Sequence, residues 1–339
     1  MFCCGKCFSD RGLERQIIPV ASTVTQDCPT CGAKNQRCVE AVKLNDYFEL
    51  LCGIYVPDDD GKLLVDWLID DWELFSISRD KANLLLVEIL DDGNRVRKPV
   101  SPSERCKSQR LNSWEELRTE LRHRNRFFPE TDFELKRLEE LLTHLMIPIE
   151  DQDRDWFRAR IQKSSASYPS DQMGAPPEHL ANHGRANPAG IPYLYLGSAT
   201  ETAVTEVRPH PGEIVCVAQF QLESGLKVVD LRNPRKLVSP FLLADEDDIA
   251  LLRGDIEFLE QLGNELTTPV LPNAAAIDYI PSQYLCEFIK KCQHSGVLYS
   301  SSISDGVNLA LFNPALATVG DVTQYQVRSV DVSIDSLNE

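Results

Sequence analysis

The chain has 339 residues, 42% of them hydrophobic and 26% charged, and a formal net charge of −17. That length suffices for two domains, each with its own core, and the composition is ordinary for a globular protein. The acidity argues against non-specific nucleic-acid binding, because a polyanion would be repelled. No apolar run approaches the ~18 residues that a bilayer span needs. The start, MFCCGKCFSDRG, has no basic segment leading into a long apolar core, so no secretory signal is expected. The expectation is a cytoplasmic protein with no membrane partner.

Seven of the eleven cysteines (Cys3, Cys4, Cys7, Cys28, Cys31, Cys38 and Cys52) fall in the first 52 residues. Cys106, Cys216, Cys286 and Cys292 sit among apolar neighbours and read as small core hydrophobes. Cys4-Gly-Lys-Cys7 and Cys28-Pro-Thr-Cys31-Gly make two CxxC knuckles. Gly5 and Gly32 permit their tight backbone. Two such knuckles complete a tetrahedral zinc site with four sulfur ligands, Cys3 being an alternative to Cys4. Disulfides would need an oxidising compartment, and a thioredoxin-type centre would want one CxxC after a strand. With four thiolates no position is left for water, so this metal would be structural.

Leu44–Tyr55 reads as an amphipathic helix ending near Gly53, VPDDDGK as a turn, and Leu63–Phe75 as a second helix with an acidic face. Ala82–Leu90 fits either a buried strand or a helix. Trp114–Phe127 is charged and helical. Phe133–Met146 carries a stripe of Phe133, Leu135, Leu138, Leu141, Leu142 and Leu145 at helical spacing. The polar joint IPIEDQDRD then marks a domain boundary near residue 150. Arg118-x4-His123 and Arg137-x6-His144 fit a loose R-x4–6-H ribonuclease pattern. Charged helices produce that pattern by chance, and solvated helix faces explain it better.

Residues 182–210, NHGRANPAGIPYLYLGSATETAVTEVRPH, place a guanidinium before a strand, an aromatic on the strand and a carboxylate on the helix that follows. The strand is Ile191–Leu196. Thr200 is the expected N-cap of a helix running to about Val207, and Pro209 and Pro211 end it. This layout suits a pocket for an anionic, ring-bearing ligand. Downstream, Ile214–Leu222 and Leu226–Leu231 read as strands, Glu246–Leu262 and Gln283–Gln293 as helices. VLYSS (297–301), VNLALF (307–312) and YQVRSVDVSI (325–334) add three strands to a mixed sheet.

GRANPAGIPYLYLGSATETAVTEVRP resembles the core of the RES domain family. WFRARI (Trp156–Ile161) upstream and VLYSSSISDGVNLALF (Val297–Phe312) downstream match in order, so the resemblance covers roughly residues 155–335. The cysteine-rich half resembles the zinc-ribbon-plus-helices module that precedes some RES domains. What the resemblance implies is an α+β protein. Residues 1–150 form a zinc ribbon with helices, and residues 151–339 a mixed-sheet, ADP-ribosyltransferase-like RES domain that binds NAD and breaks its nicotinamide–ribose bond. Carried over residue by residue, Arg158 matches the first motif's arginine, Arg185 the GR-x-N arginine and Tyr195 the strand tyrosine. Glu206 matches the helix glutamate and Ser301 the serine of Y-x-S, within the run Ser300–Ser302. Ala186 departs from the usual aromatic after GR, which would loosen one pocket wall.

These residue types suit the chemistry. Cleavage at an N-ribosyl bond develops positive charge on the sugar, which a carboxylate such as Glu206 stabilises. Arg158 and Arg185 offer bidentate donors for a pyrophosphate; Tyr195 and Ser301 supply an aromatic face and a hydroxyl. Zinc from Cys4, Cys7, Cys28 and Cys31 is the expected structural cofactor and NAD the substrate, with inorganic phosphate or water as acceptor. ADP-ribosyl transfer to a macromolecule and non-catalytic NAD sensing are the alternatives. The family resemblance implies a bacterial toxin or defence setting, with an antitoxin or regulatory protein as partner; a homo-oligomer is compatible with it. His183 and His210 match no motif position, Arg160 reads as lying outside ligand contact, and Asn308 as satisfying backbone beside the pocket.

Overall fold

The computed structural model describes residues 1–152, 154–271 and 273–331. Its contacts divide the chain into two compact units. The first comprises Met1–Leu117, Thr131–Phe133 and Asn233–Gln261; the second comprises Arg118–Glu130, Glu134–Arg232 and the chain from Leu262 onward.

In the first unit, strands β1 (Phe2–Cys4), β2 (Val24–Gln26) and β3 (Gln36–Glu40) form an antiparallel sheet in the order β1-β3-β2. Strand β4 (Tyr55–Leu63) pairs with β5 (Pro99–Pro102). The expected turn VPDDDGK lies inside β4, as a register shift between Pro57 and Lys62, both of which face Val100. A non-local partner takes up what looked like a local turn. Helices Asn45–Cys52, Leu64–Trp72 and Arg79–Leu90 follow the expected apolar spacing. The ambiguous stretch 82–90 is helical, because Ala82, Leu85, Leu86 and Ile89 recur at i, i+3, i+4 and i+7 and all four are buried. Asp71 accepts from Arg253 through both oxygens (2.6 and 2.8 Å) and from the Tyr55 hydroxyl (2.7 Å), so its buried charge is matched.

The second unit is built on an eight-stranded mixed sheet. Its strands are β6 (Met146–Pro148), β7 (Trp156–Ile161), β8 (Leu194–Gly197), β9 (Ile214–Leu222), β10 (Lys227–Asp230), β11 (Gly296–Ser300), β12 (Val307–Leu311) and β13 (Ala317–Gln326). The order is β13-β9-β7-β8-β12-β11-β10-β6, and only β10 and β11 pair in parallel. The mixed sheet and the α+β class are as expected. β9 has the expected bounds, whereas β8 begins at Leu194 and not at Ile191, since Pro192 has no N–H to give a ladder. The last strand is Ala317–Gln326, upstream of the expected 325–334; residues 332–334 of that expectation, and Asp153 of the expected joint, lie outside the described residues. β7 and β8 meet through a single pair, Phe157↔Gly197. Ala159 of β7 and Val215 and Val217 of β9 form a small core with Ala203 of the helix Thr200–Glu206, which covers this junction. That helix starts one residue earlier than expected. Ala199 is its N-cap and Thr200 its first residue, with no side-chain cap.

Candidate functional site

The cysteine knuckles close a small sulfur cage. All eleven cysteines are free thiols. The Cys4, Cys7, Cys28 and Cys31 sulfurs lie within 4.8 Å of one another, with 3.6 Å for Cys4–Cys31 and for Cys7–Cys28. Zinc bonded at about 2.3 Å to four sulfurs would space them about 3.8 Å apart, so the cage has the dimensions of a tetrahedral metal site. Gly32 takes φ +81° after the second knuckle, where a side chain would be strained. Alternation along β1 turns Cys3 to the opposite face from Cys4, and Cys3 lies outside the cage. Burial raises Cys4 to about 12. At Cys28 burial acts the same way, but amide groups of Cys31 and Thr30 directed at the sulfur hold the thiol at about 7. These four sulfurs could hold a metal ion.

A cleft of about 490 Å³ opens in the second unit where β7 and β8 part. Its floor is one register row across the sheet, Phe157↔Gly197↔Asn308↔Tyr299, in which all four residues line the cleft. Glu206, at the end of the covering helix, reaches the same space. The Ser301 hydroxyl (2.8 Å) and the Asn308 amide (2.6 Å) both donate to Glu206 Oε1. Oε2 has no hydrogen-bond partner among the described residues. Ser301 itself is buried just after β11, where its amide donates to the Gly306 carbonyl. Two donors on one oxygen orient the carboxylate.

Arg158 lines the cleft, and one of its Nη atoms donates to the carbonyls of Met173 (2.7 Å) and Gly174 (2.6 Å). Burial, with repulsion from Arg160, lowers it to about 10, so it stays charged at neutral pH. No carboxylate pairs with it among the described residues. Arg185 lies 5.3 Å from the centre of the Tyr279 ring and donates to the Thr268 carbonyl at 2.7 Å. Both arginines are therefore cationic groups held in place by neutral partners.

The loop that carries Arg185 is organised by Asn187, which is 4% exposed. Its amide nitrogen lies 2.9–3.0 Å from the carbonyls of Asn182, Pro188 and Ile191. Its oxygen accepts from the Tyr195 hydroxyl (2.7 Å), which in turn accepts from the Ala186 amide (3.0 Å). Burial pushes the Tyr195 hydroxyl up, out of the titratable range. A Cβ on Gly184 would sit 2.6 Å from that hydroxyl, so the loop requires glycine there. Ser282 donates to the Arg185 carbonyl (2.6 Å), and Gln283 to that of Gly184 (2.8 Å), fixing the loop from the helix Ile280–Lys291.

The structure brings Arg158, Arg185, Tyr195 and Glu206 to one cleft, with Ser301 bonded to the last of them. Asn308, expected to satisfy backbone, donates to Glu206 instead; its position opposite Gly197 in the ladder is a long-range pairing that no local pattern reveals. His183 and Arg208 also line the cleft and were not singled out as ligand contacts. Ala186 is fully buried and does not itself line the cleft. Arg160 stacks on Tyr168 at 4.5 Å, apart from the cleft lining. Arg118 pairs with the buried Glu265, so the first R-x-H pattern packs against the protein and is not the solvated face expected, whereas Arg137 pairs with the exposed Glu140.

The model of the RES domain matches residues 155–334, more than half of the chain. The chain belongs to the RES domain family. Among solved structures, the MbcT–MbcA toxin–antitoxin complex of M. tuberculosis is similar at 13% identity and a TM-score of 0.32, covering 56% of this chain and 92% of that one. No curated protein matches the chain. Membership of the RES family supports an enzyme that acts on NAD, and the cleft lies wholly within the matched residues. No helix among the described residues is long and apolar enough to cross a membrane.

Proposed function

We propose that the RES domain cleaves the nicotinamide–ribose bond of NAD and passes ADP-ribose to inorganic phosphate or to water. The observation that supports this best is the pairing of an oriented carboxylate with cations that lack counter-ions in one cleft: Glu206 on Ser301 and Asn308, beside Arg158 and Arg185. The pyrophosphate would supply the negative charge that Arg158 lacks, through charge-assisted bonds. Tyr195 holds the Arg185 loop by its hydroxyl, so its role in the proposal is to position that arginine.

As the C1′–N bond lengthens, nicotinamide leaves with the bonding electron pair as a neutral molecule. Positive charge then spreads over C1′ and the ring oxygen, where the Glu206 carboxylate stabilises it. Attack by a phosphate oxygen gives ADP-ribose 1-phosphate. Attack by water gives ADP-ribose and a proton, which Glu206 can accept. In the cysteine cage, Cys4, Cys7, Cys28 and Cys31 would hold zinc as a structural ion with no open position. We read residues 1–150 as a zinc-ribbon and helical domain ahead of the RES domain at 151–339, and a protein partner that caps the cleft fits the family setting.

The test is incubation of the purified protein with NAD, with and without phosphate, followed by product separation. Nicotinamide release accompanied by ADP-ribose or its 1-phosphate is expected. Tight NAD binding without release would point to a sensing module, and label from NAD appearing on a macromolecule would point to transfer; either outcome would replace this reading.

A further inference from the structure

Arg208 differs from the other two arginines of the cleft. Arg158 and Arg185 each donate to backbone carbonyls. The Arg208 side chain has no hydrogen bond or ion pair among the described residues, although it is exposed and lines the same cleft as Glu206. It stands two residues beyond that glutamate, yet no ion pair joins them among the described residues; Ser301 and Asn308 both donate to Glu206 Oε1.

The backbone shows why the side chain is held there. The helix Thr200–Glu206 closes at Val207, and Arg208 follows with φ +50°, a left-handed conformation that favours glycine. The Arg208 amide donates to the Thr205 carbonyl at 2.9 Å, and the buried Pro209 comes next, so the turn is fixed on both sides. A long cationic residue thus occupies a position where a glycine would relieve strain, and it lines the cleft beside Glu206. Strained non-glycine backbone of this kind concentrates at ligand clamps.

We infer that Arg208 binds the acceptor, inorganic phosphate, and thereby favours phosphate over water at C1′. This rests on the NAD-cleaving reading above. The charges are consistent with it. The dinucleotide pyrophosphate carries two negative charges and finds two arginines already anchored, Arg158 and Arg185. A phosphate dianion approaching C1′ must also approach the Glu206 carboxylate, and that repulsion calls for a further cation next to it. Water needs none. In the step itself a phosphate oxygen forms the bond to C1′ as the C1′–N bond breaks, and nicotinamide departs with the electron pair. The hydrogen phosphate dianion and the ribosyl cation combine to a monoanionic 1-phosphate ester, so neither oxidant nor base is consumed.

The experiment compares the wild type with Arg208→Gly and Arg208→Lys in steady-state assays that vary NAD and phosphate separately. Products are resolved by 31P NMR, and folding is checked by thermal melting. Glycine accepts the left-handed backbone, so this variant removes the side chain without adding strain. The expected result is a KM for phosphate at least about tenfold higher in Arg208→Gly. The KM for NAD should change far less, and Arg208→Lys should restore part of the loss. An unchanged KM for phosphate overturns the proposal. So does a rise confined to NAD, which would assign Arg208 to the pyrophosphate. Wild-type protein that turns NAD into ADP-ribose alone, with phosphate never incorporated, overturns the acceptor assignment while leaving bond cleavage intact. If the wild type releases no nicotinamide under any condition, the NAD-cleaving reading falls and takes this assignment with it.

Discussion

The cysteine cage and the cleft of the RES domain are both gatherings of polar side chains, and they differ in how their donors are matched. In the cage four sulfurs face one another at metal-binding distances. In the cleft, arginines are held by neutral carbonyls and Glu206 leaves one oxygen without a protein partner. A closed set of ligands stabilises a fold, whereas an incomplete one binds something that comes and goes. The difference can be tested from both sides.

The largest effect is expected at the cage. With zinc held there as proposed, stripping it with a chelator, or replacing Cys28 with Ser, should remove binding free energy on the order of 10 kcal/mol and unfold the cysteine-rich segment around it. Metal analysis and circular dichroism would show it. Metal-free protein with an unchanged melting curve would break the comparison at its first term. Glu206→Gln should lower turnover by on the order of 10³-fold, with the melting temperature within about 2 °C of wild type. Turnover within a few-fold of wild type would remove Glu206 from the chemistry.

Arg158 sharpens the contrast, because here binding and stability should move in opposite directions. Its folded-state pKa, about 10, lies below the ordinary 12.5. A cation whose pKa is depressed by folding opposes folding at every pH below the folded value, and that penalty fades only as pH rises from there toward 12.5. At neutral pH the penalty is fully present. Arg158→Met should therefore melt no lower than wild type, and should melt higher if the methionine packs well. Its KM for NAD should rise about 30-fold or more through loss of charge-assisted bonds. A variant that melts lower and binds NAD normally would mean that Arg158 is structural. Asn187→Ala should cost about 2–3 kcal/mol, since it removes the partner of three loop carbonyls and of the buried Tyr195 hydroxyl. Denaturant unfolding would measure it, together with a weaker KM for NAD as the Arg185 loop loosens. Ser301→Ala is expected to have the smallest effect, about tenfold in kcat, because Asn308 still orients the carboxylate.

The sequence was most legible where chemistry is local. CxxC spacing located the sulfur cage, and the GR-x-N, Y and E motifs located Arg185, Tyr195 and Glu206 because all three lie near one strand and one helix. The apolar alternation of IVCVAQFQL gave β9 its observed ends. What could not be read was long-range pairing. Asn308 is a cleft residue only because β12 lies beside β8 in a register that sets it opposite Gly197. Val100 of β5 turns an apparent loop at residues 57–62 into part of a strand. Arg208 was hidden for another reason: its significance depends on a backbone angle that an arginine gives no sign of adopting.

The single pair Phe157↔Gly197 makes the eight-stranded sheet behave as two ladders riveted at one point. Beyond that rivet, the inner edges of β7 and β8 carry backbone groups that do not pair with each other. The aperture of the cleft is therefore set by main chain, and side-chain substitution on its walls would change what binds there more readily than how wide it opens. Amide exchange offers a direct reading of this. Protection of residues 158–161 and 194–196 should respond to a ligand that bridges the two ladders, while the continuous pairing of β9 with β13 should be indifferent to it.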